Sequence, residues 1–250
     1  MKNLWVLILL RPNNNLLKRF CFFFFMDGFK EYLQPTYFFD FNHKTVYNKA
    51  LEIVNGLESL KEKAIALFYW VRDEIKYNMS TYIPSVKSNF RASVTLRRKN
   101  GFCVSKSILL STFARAIGIP ARLHLCDLIN HKVSQKIIDY MGTNIMYYHG
   151  YSEFYINNKW IKLTPSFDKQ TAIKGNFLPM VEFDGENNAV FPAYDNEGNK
   201  FGEYIEDRGV HADLPLDEIE VLFKEKYYDH ILNEKFEGVR KLNDKNVLSK

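Results

Sequence analysis

The apolar residues between positions 48 and 77 recur at helical spacing and predict two helices, the second of which covers about 59–74. A polar and basic stretch with turn residues follows at 78–100 and predicts a long surface loop. Near the end of the chain, an amphipathic pattern predicts a further helix over about 215–236. These helical parts flank a central segment, residues 101–168, whose pattern is mixed.

The central segment begins with a predicted helix that carries Cys103 in its first turn. After Gly101, apolar residues repeat at intervals of three and four for about fifteen residues. Gly118 and Pro120 mark the end of this helix, because glycine is common just after a helix and proline soon afterwards. Apolar and polar residues then alternate over 122–126, which predicts a short strand.

Two aromatic and β-branched runs predict a β-hairpin. The runs cover 147–156 and 160–163, and two asparagines at 157–158 lie between them. Asparagine tolerates positive φ, which a two-residue hairpin turn requires. Such a turn pairs Ile156 with Lys159 and thereby fixes the register of the whole hairpin.

This register predicts polar neighbours for His149, the residue near the start of the first strand. Extended along both strands, it places Ser166 opposite His149, with Thr164 and Asp168 as diagonal neighbours on the same face. Pro165 is expected to break the ladder near its end. Groups able to orient an imidazole are therefore predicted beside His149.

Composition limits the possible classes of protein. Of 250 residues, 46% are hydrophobic and 25% are charged, as in ordinary soluble globular chains. The net charge of +5 arises from basic residues scattered among acidic ones, so we expect no nucleic-acid partner. The three cysteines form no C-x-x-C pair, which disfavours a disulfide framework and a structural zinc site. One α+β domain over 26–250 is the expected organisation.

Residues 1–25 differ from the rest of the chain. Two apolar runs, 4–10 and 20–26, are both far shorter than the roughly 20 residues needed to cross a bilayer, and basic residues lie between them. No small-x-small cleavage site follows the first run. We interpret Met26 as the possible true start, residues 1–25 as an extension outside the fold, and the protein as cytoplasmic without stable membrane association. Export or membrane anchoring is the alternative.

Cys103 and His149 are the candidates for chemistry. A thiol in the first turn of a helix lies near unpaired backbone N–H groups and the positive end of the helix dipole, both of which favour thiolate. Most free cysteines are simply buried small hydrophobes, and most single histidines at strand starts have no catalytic role. A thiol nucleophile also needs a base in the same cleft, and His149 follows Cys103 by 46 residues.

Three motifs resemble those of the transglutaminase-like superfamily. The cysteine helix begins with G-F-C (101–103) and ends with R-A-I-G-I-P-A-R (115–122), similar to the family's G-x-C and R-A-x-G-I-P-A-R. The hairpin reads H-G-Y-S-E-F-Y (149–155) and W-I-K-L (160–163), similar to H-x-x-x-E-x-Y and W-x-x-x-D-P. Upstream, residues 68–77 look like the family's helix that ends in I-x-Y. The resemblance covers about 48–168.

The resemblance implies a papain-like transglutaminase core of the α+β class, in which a helix with the cysteine at its N-terminus packs on an antiparallel sheet carrying the histidine. It implies thiol-dependent acyl transfer on a peptide or protein substrate: His149 takes the thiol proton and Cys103 attacks an amide carbonyl. Hydrolysis, as in a cysteine peptidase or amidase, is favoured because nothing marks an amine site. Amine cross-linking or deamidation of glutamine is an alternative. The chemistry requires no metal or organic cofactor.

One position departs from the family pattern. Thr164 stands where the family has the aspartate after W-x-x-x. A threonine hydroxyl can hold the imidazole but brings no negative charge, so the thiolate–imidazolium pair is less favoured. Asp168, four residues later, is a possible substitute for that charge. The same departure supports the competing hypothesis of a non-catalytic binding module with the transglutaminase fold.

Overall fold

The computed structural model describes residues 28–83 and 86–227. Within these residues the α-helices are α1 (Lys44–Ile53), α2 (Leu60–Glu74), α3 (Ala92–Arg98), α4 (Cys103–Ala116), α5 (Gln135–Met141), α6 (Lys169–Lys174) and α7 (Leu216–Lys226). The strands are β1 (Lys76–Tyr77), β2 (Asn100–Gly101), β3 (Ala121–Asn130), β4 (Ile145–Ile156), β5 (Lys159–Leu163) and β6 (Gly202–His211). The predicted N-terminal extension, 1–25, lies outside the described residues.

The larger sheet is antiparallel, with the order β5-β4-β3-β6 in the described chain. A second, parallel pair joins β1 to β2, where Tyr77 pairs with Gly101. Helix α4 packs on β3 and β4, and helices α1, α2 and α3 contact it as well. This combination of helices and an antiparallel sheet confirms the predicted α+β class.

The hairpin has the predicted register. Ile156 pairs with Lys159 and Ser152 pairs with Leu163. Asn157 and Asn158 have φ values of 51° and 64°, the left-handed conformation that such a turn requires. The ladder ends at Leu163, one residue before Thr164, so the predicted face-to-face position of Ser166 is not part of the paired sheet.

Helix α4 is the centre of the structure. All of its residues from Cys103 to Arg115 are buried, which explains why its sequence is apolar or small on nearly every side. Two hydrogen bonds join it to β4: Ser107 Oγ donates to the Gly150 carbonyl at 3.0 Å, and Ser152 Oγ donates to the Ser107 carbonyl at 2.9 Å. The helix and the histidine strand are therefore held together directly.

Helix α2 also follows its prediction. It begins after Ser59, whose hydroxyl accepts a hydrogen bond from the Glu62 N–H at 3.1 Å, while the Glu62 carboxylate accepts one from the Ser59 N–H at 3.0 Å. This reciprocal capping box satisfies two backbone donors at the start of the helix. At the other end of the chain, helix α7 ends at Lys226, and the rest of its predicted range, from residue 228, lies outside the described residues.

The prediction of a surface loop at 78–100 is wrong. This segment contains 3-10 helices at Met79–Thr81 and Lys87–Phe90, followed by helix α3. Phe90 and Leu96 are buried in the core next to helix α4. Few apolar residues stand among many polar ones here, so the sequence shows no periodicity. Burial of those few apolar residues in the core, which a sequence pattern does not show, accompanies the helical structure of the described part of the segment.

Candidate active site

Cys103 is the first residue of helix α4, and its side chain is 9% exposed. Gly101 allows the tight entry into the helix, because a Cβ atom there would lie 2.5 Å from the Ser105 hydroxyl oxygen. That hydroxyl accepts a hydrogen bond from the Phe102 N–H at 3.0 Å and so caps the helix start. The sulfur is thus fixed at the point where the predicted helix begins.

The Cys103 thiol is held in its neutral form. Burial raises its pKa to about 11, and the backbone N–H groups of Gly150, Val104 and Cys103 itself only partly oppose that rise. The effect of the helix start, which favours thiolate, is therefore smaller than the desolvation of the charge. At neutral pH the resting site contains a thiol.

His149 lies on strand β4 and is 3% exposed. Its ring lies 5.5 Å from the ring of Phe191 and 6.4 Å from that of Tyr204. Among the described residues, nothing hydrogen-bonds to its buried Nε2 atom. Burial lowers the pKa of His149 to about 3, so the imidazole is neutral at physiological pH.

Thr164 and Ser166 are also buried next to the end of the hairpin, each 1% exposed. Their hydroxyl oxygens make no well-formed hydrogen bond within the described residues. The Thr164 hydroxyl does approach Tyr204, where it opposes the rise in the pKa of the phenol that burial causes. The structure therefore buries both hydroxyls but shows neither bound to the imidazole of His149.

Asp168 binds groups other than His149. One carboxylate oxygen accepts hydrogen bonds from the Tyr77 N–H and the Thr171 hydroxyl, both at 2.7 Å, and the other accepts one from the Thr171 N–H at 3.0 Å. Burial acts to raise the pKa of Asp168, but these hydrogen bonds outweigh it and lower the pKa. Asp168 thus caps helix α6 and fixes strand β1.

Two adjoining cavities contain the candidate pair. Cys103 lines a cavity of about 270 Å³ and His149 lines another of about 300 Å³. Both cavities share Tyr77, Met79 and Met146 as wall residues, together with Ile137. The two side chains thus line separate cavities that have four wall residues in common.

The cavity at Cys103 is strongly apolar. Of the described residues that line it, none carries a charge. The aromatic wall residues include six tyrosines: Tyr77, Tyr82, Tyr140, Tyr147, Tyr148 and Tyr227. Such a cavity favours an uncharged group with a large apolar surface.

Lys106 is fully buried on helix α4, and no pattern in the sequence singles it out. Its ammonium group donates hydrogen bonds to the carbonyls of Arg72, at 2.9 Å, and Ile75, at 2.5 Å. These carbonyls lie at the end of helix α2, where backbone acceptors lack partners within the helix. Burial lowers the pKa of Lys106 to about 7, which the nearby Asp168 partly opposes.

A second polar cluster ties three strands together. His124 on β3 contacts Glu153 on β4 at 2.7 Å through Nδ1 and Asp207 on β6 at 2.8 Å through Nε2. Arg122 also bonds Glu153 at 2.7 Å. The glutamate of the family-like motif is therefore a structural partner of β3. Arg122 and Glu153 lie opposite each other on the adjacent strands β3 and β4.

Within 28–83 and 86–227, no group of three or more His, Cys, Asp or Glu side chains is arranged to hold a metal ion. None of the helices described here is long and apolar enough to cross a membrane.

The central part of the chain is similar to a known protein family. Residues 47–165 match the family model of the transglutaminase-like superfamily. The match includes the cysteine helix and the histidine hairpin. This match supports a cysteine-dependent peptidase-like or acyltransferase-like function in general terms. No curated protein matches the chain.

Two solved structures show more distant likeness. A candidate cysteine protease from Cytophaga hutchinsonii is 17% identical, with a TM-score of 0.42, and the alignment covers 72% of this chain and 53% of that one. A candidate protease from Parabacteroides distasonis is 15% identical, with a TM-score of 0.35, over 49% of this chain and 23% of that one. The chain thus spans about half the length of the first protein and a quarter of the second.

Proposed function

We propose that the protein is a cysteine-dependent amide hydrolase that acts on peptides or proteins, with Cys103 as the nucleophile and His149 as the base. The observation that supports this most is the packing of helix α4 against β4. It brings the residue that begins the helix and the strand that carries His149 to two adjoining cavities. A nucleophile and a base that act together need such a shared cleft.

The proposed reaction is a two-step acyl transfer. His149 accepts the thiol proton as the sulfur attacks the amide carbonyl, and the C–N bond then breaks as the amine leaves with that proton. Water attacks the resulting thioester, which releases the carboxylic acid and restores the thiol. Because both groups are neutral at rest, proton transfer is expected to accompany formation of the C–S bond.

The two further candidate residues, Thr164 and Asp168, have different roles in this proposal. Thr164 stands at the position of the family's acid, and its buried hydroxyl is proposed to turn toward the imidazolium that forms during the reaction. Asp168 contributes through the backbone of strand β1, to which it is bonded. Charge stabilisation by Asp168 on His149 is not part of the proposal.

Hydrolysis of peptidyl coumarin amides tests this function. The purified full-length protein is compared with the variants Cys103→Ala, Cys103→Ser and His149→Ala at equal concentration. Circular dichroism checks that each variant is folded to the same extent as the wild type. We expect the cysteine variants and His149→Ala to lose at least 10³-fold in kcat/KM, a loss of the size seen on removal of a member of a catalytic triad. Turnover that survives in Cys103→Ala would overturn the proposal.

A second experiment with the same protein determines whether water or an amine is the acyl acceptor. A primary amine such as a lysine derivative is added at rising concentration, and the products are separated by mass spectrometry. Hydrolysis predicts that the acid remains the main product. A product dominated by the new amide would instead support the cross-linking alternative, and conversion of glutamine to glutamate would support deamidation.

A non-catalytic binding module is the second candidate function. The neutral resting state of Cys103 and His149, together with the absence of the family's acid at Thr164, favours it. In that case Cys103→Ala would still bind peptides as the wild type does, and neither protein would hydrolyse them. We also propose a cytoplasmic location, which subcellular fractionation of the full chain would test.

A further inference from the structure

We propose that Tyr77 is a catalytic residue whose hydroxyl donates a hydrogen bond to the oxyanion formed when Cys103 attacks the amide carbonyl. The inference rests on the proposed function and deepens it. Acyl transfer requires donors for the negative charge on the carbonyl oxygen. The backbone N–H of Cys103, at the helix start, supplies one, and a second has to come from a nearby side chain or strand.

The fold places Tyr77 beside Cys103. Strand β1 runs parallel to β2, with Tyr77 paired to Gly101, two residues before Cys103. The Asn78 N–H donates to the Gly101 carbonyl at 2.9 Å, which fixes the pair from the other side. Tyr77 and Cys103 both line the cavity of about 270 Å³.

Tyr77 is held on two sides. Its backbone N–H donates to the Asp168 carboxylate at 2.7 Å, across 91 residues of sequence. Its ring packs edge-on against Phe167, with ring centroids 4.8 Å apart. A donor that is fixed before the reaction does not have to reorganise when the oxyanion forms, which is the basis of this kind of catalysis.

The hydroxyl is available as a donor. Within the described residues it makes no hydrogen bond, in contrast to Tyr227, whose hydroxyl accepts from the Tyr147 N–H at 3.0 Å. Desolvation raises the pKa of Tyr77 well above its usual value, and negative charge at Cys103 raises it further. The phenol therefore keeps its proton at neutral pH, as a hydrogen-bond donor must.

Formation and collapse of the tetrahedral intermediate need no reagent other than the groups already named. As the C–S bond forms, the carbonyl π electrons move to oxygen, and the phenol O–H donates a hydrogen bond to that oxygen while retaining its proton. When the intermediate collapses, the C=O bond returns and the C–N bond breaks. Asp168 acts as a positioning residue in this scheme, because it binds the backbone of Tyr77 and not the substrate.

Tyr77→Phe tests the proposal, because it removes the hydroxyl and keeps the ring against Phe167. We expect kcat for a peptidyl coumarin amide to fall by about 10², the loss typical of one oxyanion donor, with KM changed by less than about threefold. The affinity for a peptide aldehyde, whose adduct with Cys103 resembles the intermediate, is expected to fall by a similar factor. The melting temperature should stay near that of the wild type.

Alkylation of Cys103 by iodoacetamide forms no oxyanion, so its rate in Tyr77→Phe should stay within about twofold of wild type. Tyr155→Phe is the matched control, since it removes a phenol hydroxyl six residues beyond His149 on β4, about 20 Å away along an extended strand. Unchanged kcat and aldehyde affinity in Tyr77→Phe would overturn the inference, as would an equal loss in alkylation. Failure of Cys103→Ala to abolish turnover would instead overturn the proposed function.

Discussion

Gly150 lies so close to Val104 that a Cβ atom on residue 150 would be 3.0 Å from the Val104 Cα. A side chain at the position next to His149 would therefore require helix α4 and the sheet to move apart by a few tenths of an ångström. This contact sets the distance between the helix that begins with Cys103 and the strand that carries His149. The close approach of two backbones is one of the few situations that favour glycine inside a strand.

Gly150→Ala should therefore move the helix away from the strand. We expect the free energy of unfolding to fall by about 1–3 kcal/mol, the usual cost of overpacking. We also expect kcat to fall by more than the fraction of molecules that this loss of stability unfolds. Ser152→Ala is the control: it removes the hydrogen bond to Ser107 without adding an atom. Urea unfolding and kcat are measured on both. Full activity in Gly150→Ala would show that the spacing does not control the site.

The reactivity of Cys103 should depend steeply on pH in the free protein. Because burial raises its thiol pKa to about 11, alkylation at pH 7 is expected to be slower than for an exposed cysteine and to rise about tenfold per pH unit. Peptide mapping by mass spectrometry between pH 6 and 10 measures the rate at this residue. A rate that is already at its plateau at pH 6 would indicate a preformed thiolate–imidazolium pair instead.

The buried imidazole should make the fold sensitive to acid. The pKa of His149 is about 3 in the folded protein and about 6.5 when unfolded, so its neutral form is favoured by folding. This contribution is complete above pH 6.5 and is lost as pH falls toward 3, by roughly 1.4 kcal/mol per unit.

Urea unfolding at pH 7.5 and 5.0 checks this dependence, with His149→Phe as the comparison. The variant keeps a ring but cannot be protonated, so its stability should fall less over that interval. Carboxylates with a lowered pKa, such as Asp168, also make the protein less stable as the pH falls, but they do so equally in wild type and variant. Equal losses in wild type and variant would contradict the assignment of the effect to His149.

Thr164→Asp restores the acid of the family pattern. A carboxylate near the imidazole is expected to raise the pKa of His149 and to speed alkylation of Cys103 at pH 6. Thr164→Asn, similar in size but uncharged, separates charge from shape. The alkylation rate of each variant is measured against wild type. No acceleration by the aspartate would mean that residue 164 does not control the charge of the pair.

Substrates should carry an uncharged group on the acyl side of the scissile bond. A charge transferred into the apolar cavity at Cys103 loses hydration without a partner, so we expect kcat/KM for phenylalanine or leucine there to exceed that for glutamate or lysine by about 10² or more. Met146→Glu should improve lysine relative to leucine, whereas Met146→Leu should not. Equal rates across the set would show that the acyl group lies elsewhere.

The sequence determined the local parts of this protein. Asparagines at positions with positive φ fixed the hairpin register, and the periodic apolar run after Gly101 fixed the helix that begins at Cys103. Ser59 and Glu62 likewise marked the start of helix α2. These features depend on residues a few positions apart, so each carries its own signal, and together with the motifs they sufficed to indicate the superfamily.

Only the tertiary structure decided how these parts act together. Phe90 and Leu96, in the segment 78–100, are buried in the core, and helix α3 packs on helix α4, which no periodic pattern could show. Hairpin register placed Asp168 near His149, but the chain turns after β5 and its carboxylate binds the Tyr77 N–H. The protonation states of Cys103 and His149 follow from desolvation, a property of the packed neighbours from distant parts of the chain. A sequence shows which groups could ionise, but the surrounding packing decides whether they do.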